Sequence, residues 1–319
     1  MIDYQWPSQL LEHPKFEQGL GQSKNKDKAK EIEDFFSERF NCKAWLFSSG
    51  RAAIAALIEF YNINRSHFVY TSKWSSHCLF NTIGAFTNPT INFHEPIRMN
   101  IVNHKWGRIV ECKKSYDNCI TLEDSIDSIF LSSNTLFPNN GDYELISFPK
   151  IIGSYSGAIL FSRNEAFNKR KHNFEEQNID FVINQSRLKN IHARGEHDFR
   201  ETYLYHEPWN RSIDAFGLND ILERLPNYDL NKDIILKRHE ILCSHFGVEP
   251  QFNEERIGPV FILPSKKYRK GEGSQIMERH HSFEKFAEEA LYEKVLLLPL
   301  HFGVSDDLFH RYYKDIREA

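Results

Sequence analysis

The 319-residue chain is short of several features that would place it in a special class, beginning with long apolar runs. No stretch approaches the roughly 20 residues needed to span a bilayer. The opening Met-Ile-Asp-Tyr-Gln-Trp-Pro has neither the basic nor the apolar region of a signal peptide, so a cytoplasmic protein is expected. Cysteine is scarce and odd in number. Cys42, Cys78, Cys112, Cys119 and Cys243 include no Cys-x-x-Cys pair, which argues against a disulfide framework or a zinc ribbon. There is no surplus of positive charge either: a formal net charge of −4 removes the basic field that would hold nucleic acid. The 15 histidines contain no His-Glu-x-x-His, and His280 and His281 are adjacent, so in a helix they would point to different faces. Gly19-Leu-Gly21 is too short for a dinucleotide fingerprint, and no repeat with a period of about 20 to 50 residues is present.

What the chain does have is aromatic bulk. Phenylalanine alone occurs 26 times, enough to build a large packed interior. At about 150 residues per domain, the length suggests two units. The patterns place a large α/β domain with its N-terminal segment at residues 1–210. Linking helices and a smaller α+β domain follow at 211–319.

Along the chain, residues 27–40 set Ile32, Phe35, Phe36 and Phe40 on one helical stripe. A short strand over 44–49 then runs through Gly50 into an alanine-rich helix over 51–61. Further strands are expected at 68–71, 119–122, 145–148 and 158–161. Such alternation predicts a mostly parallel sheet covered on both faces. Two helices broken near Pro226 follow. The C-terminal part then shows a strand at 260–263, a basic loop at 264–274 that reads as solvated, a helix around Ser282–Tyr292 and a strand at 295–299.

Loops after parallel strands gather at one sheet edge, where ligands bind. Three segments would meet there. Ser49, Gly50 and Arg51 form a small turn at a helix N-terminus, which suits a phosphate, although Gly50 also reads as a plain strand-to-helix turn. Asp124 ends a buried strand and could keep a pyridine nitrogen protonated; equally, Glu123 and Asp124 could simply open the next helix. Lys150 follows the next strand. A lysine amine becomes a nucleophile toward an aldehyde once its surroundings lower its proton affinity. Phosphate turn, acid and amine in this order point to pyridoxal 5'-phosphate.

Four segments carry a family resemblance: Ser49-Gly50-Arg51 through Leu57, Leu122-Glu123-Asp124, Gly141 through Lys150 to Ser156-Gly157, and Leu298-Pro-Leu-His-Phe-Gly. Together they resemble the DegT/DnrJ/EryC1 family of fold-type I sugar aminotransferases. That resemblance implies a large sheet of the seven-stranded type flanked by helices, with pyridoxal phosphate as cofactor. It implies that Lys150 carries the cofactor and moves the substrate proton, that Asp124 pairs with the ring nitrogen, and that Gly50, Arg51 and Ser147 hold the phosphate beside Ser49. The aromatic that covers the ring would be Trp74, with His77 as the second choice. Pro208-Trp-Asn210-Arg is similar to a family segment whose asparagine reaches the neighbouring subunit, implying a homodimer with shared sites, although Asn210 also fits a helix N-cap. Asp127 stands where the family often has Gln or His, altering the charge beside the cofactor.

The implied activity is transfer of an amino group from an amino acid, glutamate being the expected donor, to a nucleotide-linked keto sugar in polysaccharide or O-antigen biosynthesis. The alternatives are a different reaction on the same cofactor, such as dehydration, and a non-catalytic regulatory relative.

Overall fold

A computed structural model describes residues 25–92, 96–112, 118–132, 135–154, 156–169, 213, 215–252, 255–272, 274, 276–286, 289 and 291–319. The expected boundary at 210/211 lies outside them. Helix α1 (Asn25–Phe40) buries Ile32, Phe36 and Phe40, and the Phe36 ring stacks on Phe148 at 5.2 Å. Strand β1 (Lys43–Phe47) leads to Ser49, whose hydroxyl accepts the Ala52 N–H and starts α2 (Gly50–Phe60). Every residue of α2 from Ala52 to Ile58 is buried, as its alanine-rich, all-round apolar sequence requires.

Next come β2 (Phe68–Thr71), α3 (His77–Phe86), β3 (Asn88–Thr90), β4 (Ile97–Asn103), β5 (Ile120–Asp124), β6 (Ile129–Phe130), β7 (Tyr143–Ser147), the short α4 (Phe148–Ile151), β8 (Ala158–Ser162) and α5 (Glu165–Lys169). A seven-stranded sheet has the order β1-β8-β7-β5-β4-β2-β3. β3, β2, β4, β5 and β7 are parallel, whereas β8 is antiparallel to both its neighbours. Two reversals cancel, so β1 runs the same way as β7. The C-terminal ends of β1, β2, β4, β5 and β7 therefore share one edge.

The faces of this sheet bury different partners. Leu122, Tyr143, Leu145 and Leu160 pack with α2, while Ile146, Ile159 and Phe161 pack with α1. That second layer continues into α6 (Ala215–Arg224) and α7 (Asn227–Phe246), which Pro226 separates as expected. The C-terminal part contains β9 (Arg256–Ile257), β10 (Val260–Pro264), β11 (Tyr268–Lys270), β12 (Met277–Ser282), β13 (Tyr292–Pro299), α8 (Asp306–Lys314) and β14 (Ile316–Glu318). β10, β13 and β12 form an antiparallel sheet, and β9 pairs with β6.

The helix expected around Ser282–Tyr292 is not found among the described residues. Ser282 ends β12, Tyr292 begins β13, and the two pair directly as the last rung of their ladder. The helical spacing of Phe283, Phe286 and Leu291 is overridden by that pairing. On a strand, adjacent residues face opposite ways. His281 is accordingly buried against Trp106 at 5.1 Å while His280 is exposed. The five cysteines are free and half-buried. No described helix is long and apolar enough to cross a membrane.

Two chain segments touch without side chains between them. Gly258 lies against the carbonyl of Trp106, and a Cβ there would have no room. This crossing ties the turn after β4 to the start of β10.

Candidate active site

β5 and β7 are adjacent parallel strands, with Asp124 in register with Leu145. β7 ends at Ser147, and one turn of α4 carries the chain to Lys150. Gly50, opening α2 from the end of β1, packs on the Leu145 side chain. The sheet thus gathers the Gly50 turn, Asp124 and Lys150 at a single edge.

Asp124 is buried, and among the described residues nothing hydrogen-bonds to its Oδ1. An unpaired buried carboxylate oxygen is costly, and the charged form suffers most. Burial pushes the Asp124 carboxyl up to about 7; the charge of Lys150 pulls it back, and Asp127 raises it further. Asp127 is buried as well and accepts the Trp106 N–H at 2.8 Å. Its carboxyl is also raised by burial, with Lys150 opposing. Lys150 therefore sits within electrostatic reach of both acids.

The rest of the edge is polar and interlocked. Asn103, at the end of β4, donates to Ser75 Oγ at 2.8 Å and to Thr71 Oγ1 at 3.2 Å, and Ser72 bonds the Tyr292 hydroxyl at 2.7 Å. Lys105 follows β4 and donates to the His280 carbonyl at 3.0 Å. Trp74 stacks on the His280 ring at 4.8 Å and lies 5.4 Å from the Tyr292 ring. Its indole remains 42% exposed. His77 is exposed at the start of α3, and Ser147 is half-buried at the N-cap position of α4. Asn210 lies outside the described residues.

The opposite face of β5 carries a contrasting carboxylate. Glu123 accepts His104 Nε2 at 2.6 Å, the Asn139 N–H at 2.8 Å, Asn139 Nδ2 at 3.0 Å and the Gly141 N–H at 2.9 Å. The Val110 N–H donates to His104 Nδ1, which fixes the ring proton on Nε2. Burial works to raise the Glu123 carboxyl, but these bonds outweigh it and leave it below its usual range. Beside it, Glu144 pairs with Arg256 at 2.8 Å and accepts the Ser125 hydroxyl at 2.6 Å.

Residues 32–319 match the model of a family described as "Putative PLP-dependent aminotransferase". The chain belongs to this family of PLP-dependent aminotransferases. Its fold is shared with solved aminotransferase structures of the DegT/DnrJ/EryC1/StrS type. A DegT DnrJ EryC1 StrS aminotransferase from Brucella abortus is 12% identical, with a TM-score of 0.60 over 93% of this chain and 90% of that one. The aminotransferase TlmJ from Streptoalloteichus hindustanus is 14% identical, with a TM-score of 0.59 over 93% and 90%. NtdA from Bacillus subtilis, crystallised with bound cofactor PMP, is 15% identical, with a TM-score of 0.57 over 90% of this chain and 76% of that one. No curated protein matches the sequence.

The residues of this aminotransferase fit pyridoxal phosphate. Asp124 Oδ1 is a buried acceptor lacking a donor, which a protonated ring nitrogen would provide. Lys150 follows the adjacent strand, and its charge acts on the Asp124 carboxyl. Lys105 escaped the sequence reading because β4 was not recognised as a strand. Reading Ile97–Asn103 as parallel to its neighbours would have put Lys105 at the same edge. His104 was missed because its partner, Glu123, lies on a different strand.

Proposed function

We propose that this aminotransferase moves an amino group from an amino acid, glutamate being the first candidate, to a keto sugar carried on a nucleotide. The reading rests on the buried, unpartnered Oδ1 of Asp124 at a strand tip beside the strand that leads to Lys150. The sugar substrate is supported by the four matched segments and by the fold shared with DegT-type aminotransferases.

Bound at this edge, pyridoxal phosphate supplies an electron sink for a carbanion next to the transferred nitrogen. In this reading, Ser49, Gly50 and Arg51 at the head of α2, with Ser147, bind the phosphate. Asp124 holds a proton at the ring nitrogen; its raised proton affinity in the buried pocket falls once a cation is its partner. Lys150 would hold the cofactor and, as general acid/base, would carry the proton between the substrate carbon and the cofactor. Trp74 is the first candidate to cover the ring and His77 the second. Asp127 orients the turn that carries Lys105 and Trp106 through its bond to the Trp106 N–H. A homodimer in which Asn210 reaches the second subunit's site completes the proposal.

The test is a half-reaction. Protein loaded with pyridoxal phosphate should show a visible absorption band, and glutamate should bleach it with release of one equivalent of 2-oxoglutarate. Lys150→Ala should lose borohydride-fixed cofactor and all turnover. A colourless wild-type protein, or a Lys150→Ala variant that transaminates, removes the proposal. A visible band with no 2-oxoglutarate release from glutamate moves the assignment to another amino donor or to dehydration.

A further inference from the structure

Trp74 is held at this edge from two sides. It sits in the turn after β2, where the Ser75 N–H donates to the Ser72 carbonyl at 3.0 Å and the Ser75 hydroxyl bonds Thr71 Oγ1 at 2.8 Å. Asn103, in register with Asp124 across β4 and β5, donates to the same Ser75 oxygen at 2.8 Å. The turn is thereby tied to the strand tips that carry Asp124. From the other side come β12 and β13. His280 pairs with Lys294 and Ser282 with Tyr292, so His280 and Tyr292 are diagonal neighbours on one face of that ladder. The His280 ring lies nearly parallel to the indole, 4.8 Å away with 16° between the planes, and the Tyr292 ring lies at 5.4 Å, tilted. The Tyr292 hydroxyl meets Ser72 Oγ at 2.7 Å, and that oxygen also takes the Trp74 N–H at 3.4 Å. Two rings and one hydroxyl of the C-terminal sheet therefore bear on the indole or on its turn.

Among the described tryptophans, Trp106 is buried, Trp45 is half-buried, and Trp74 stays 42% exposed. Fixing an indole that remains in water costs side-chain freedom and keeps apolar surface out of the core. An indole has two faces, and the stack on His280 uses one. Its open surface suits a second flat ring.

We propose that His280 and Tyr292 are positioning residues of the cofactor pocket: His280 by its stack, and Tyr292 through Ser72, hold Trp74 where it covers the ring. The C-terminal sheet thus completes a pocket whose other groups come from the large sheet. This rests on Trp74, rather than His77, being the aromatic that covers the cofactor.

The readouts are the dissociation constant of pyridoxal phosphate and the circular dichroism induced in its visible band, which reports how the ring is seated. His280→Ala should raise the dissociation constant about threefold to tenfold and weaken the induced signal. His280→Phe, which keeps a flat ring on the indole, should stay near wild type. Tyr292→Phe should give a smaller loss, and no further loss once Ser72→Ala is present, because the two share one bond. Both readouts unmoved in His280→Ala overturn the proposal. So does a His280→Phe variant as impaired as His280→Ala, or losses at Ser72 and Tyr292 that simply add. Should His280→Ala not fold, the His280→Phe result and the Ser72–Tyr292 pair decide. A Trp74→Ala variant with wild-type affinity and signal removes the reading of Trp74 and this proposal with it; an impaired Trp74→Ala beside an unmoved His280→Ala sinks this proposal alone. A wild-type protein that takes up no cofactor overturns both.

Discussion

Glu123 and Asp124 are consecutive residues of one strand, both buried, and the chain treats them oppositely. Glu123 receives four hydrogen bonds and stays ionised, while Asp124 keeps an oxygen without a donor and is pushed up to about 7. The alternation of a strand sends them to different faces. One face is closed by His104 beyond β4, by the loop at 139–141 and by the Glu144–Arg256 pair; the other carries Asp124 at the sheet edge that also holds Lys150. The difference teaches a way to separate scaffold from site: a buried carboxylate with all its acceptors filled supports the fold, and one left short is reserved for a ligand.

Substitution on each side of β5 should break this symmetry in opposite directions. The largest expected loss of stability is from Glu123→Ala, which strands the His104 Nε2–H and the N–H groups of Asn139 and Gly141. Unfolding by urea should show a loss of about 3 to 5 kcal/mol. A loss below about 1 kcal/mol would mean that the network contributes little.

Gly141→Ala attacks the same network sterically. Its Cβ would lie 2.6 Å from Glu123 Cγ, so a cost of about 1 to 3 kcal/mol is expected from the same urea titration.

Asp124→Asn should do the reverse in cofactor-free protein. The folded chain holds the Asp124 proton up to about pH 7, whereas the unfolded chain releases it near 3.8, so folding takes up a proton between those values. Wild-type stability therefore carries a penalty that grows as pH rises through that window and is complete above it. Thermal melts should show the asparagine variant gaining on wild type by several degrees at pH near 8 and hardly at all near 4, while its retention of pyridoxal phosphate on gel filtration falls sharply. A gain that shrinks with rising pH would refute the assignment of that penalty to Asp124.

The fold was legible where the pattern is local. Ala44 to Ser49, Gly50 and the alanine run after it read as a strand, a glycine turn and a helix, and the structure has that strand and helix, with Ser49 as the cap between them. The order of Gly50, Asp124 and Lys150 was enough to bring them to one edge because parallel strands align their ends. Legibility failed where pairing decides. Ile97–Asn103 mixes Arg98, Asn100 and Asn103 into a strand whose burial comes from its neighbours, so it was not seen, and Lys105 went with it. The segment between His281 and Tyr292 has aromatic spacing suited to a helix, yet β12 pairs directly with β13 across it. The Glu123 network was hidden for the same reason, since its donors come from His104 after β4 and from Asn139 and Gly141 in the loop before β7.

The contact of Gly258 with Trp106 has a mechanical meaning. Two main chains in direct touch cannot slide along each other unless one lifts clear, and no longer or shorter side chain can change their separation. The joint works as a rivet between the tip of β4 and the root of β10. Drift in the surrounding surface residues leaves that spacing intact, and with it the seat from which Lys105 reaches across to β12.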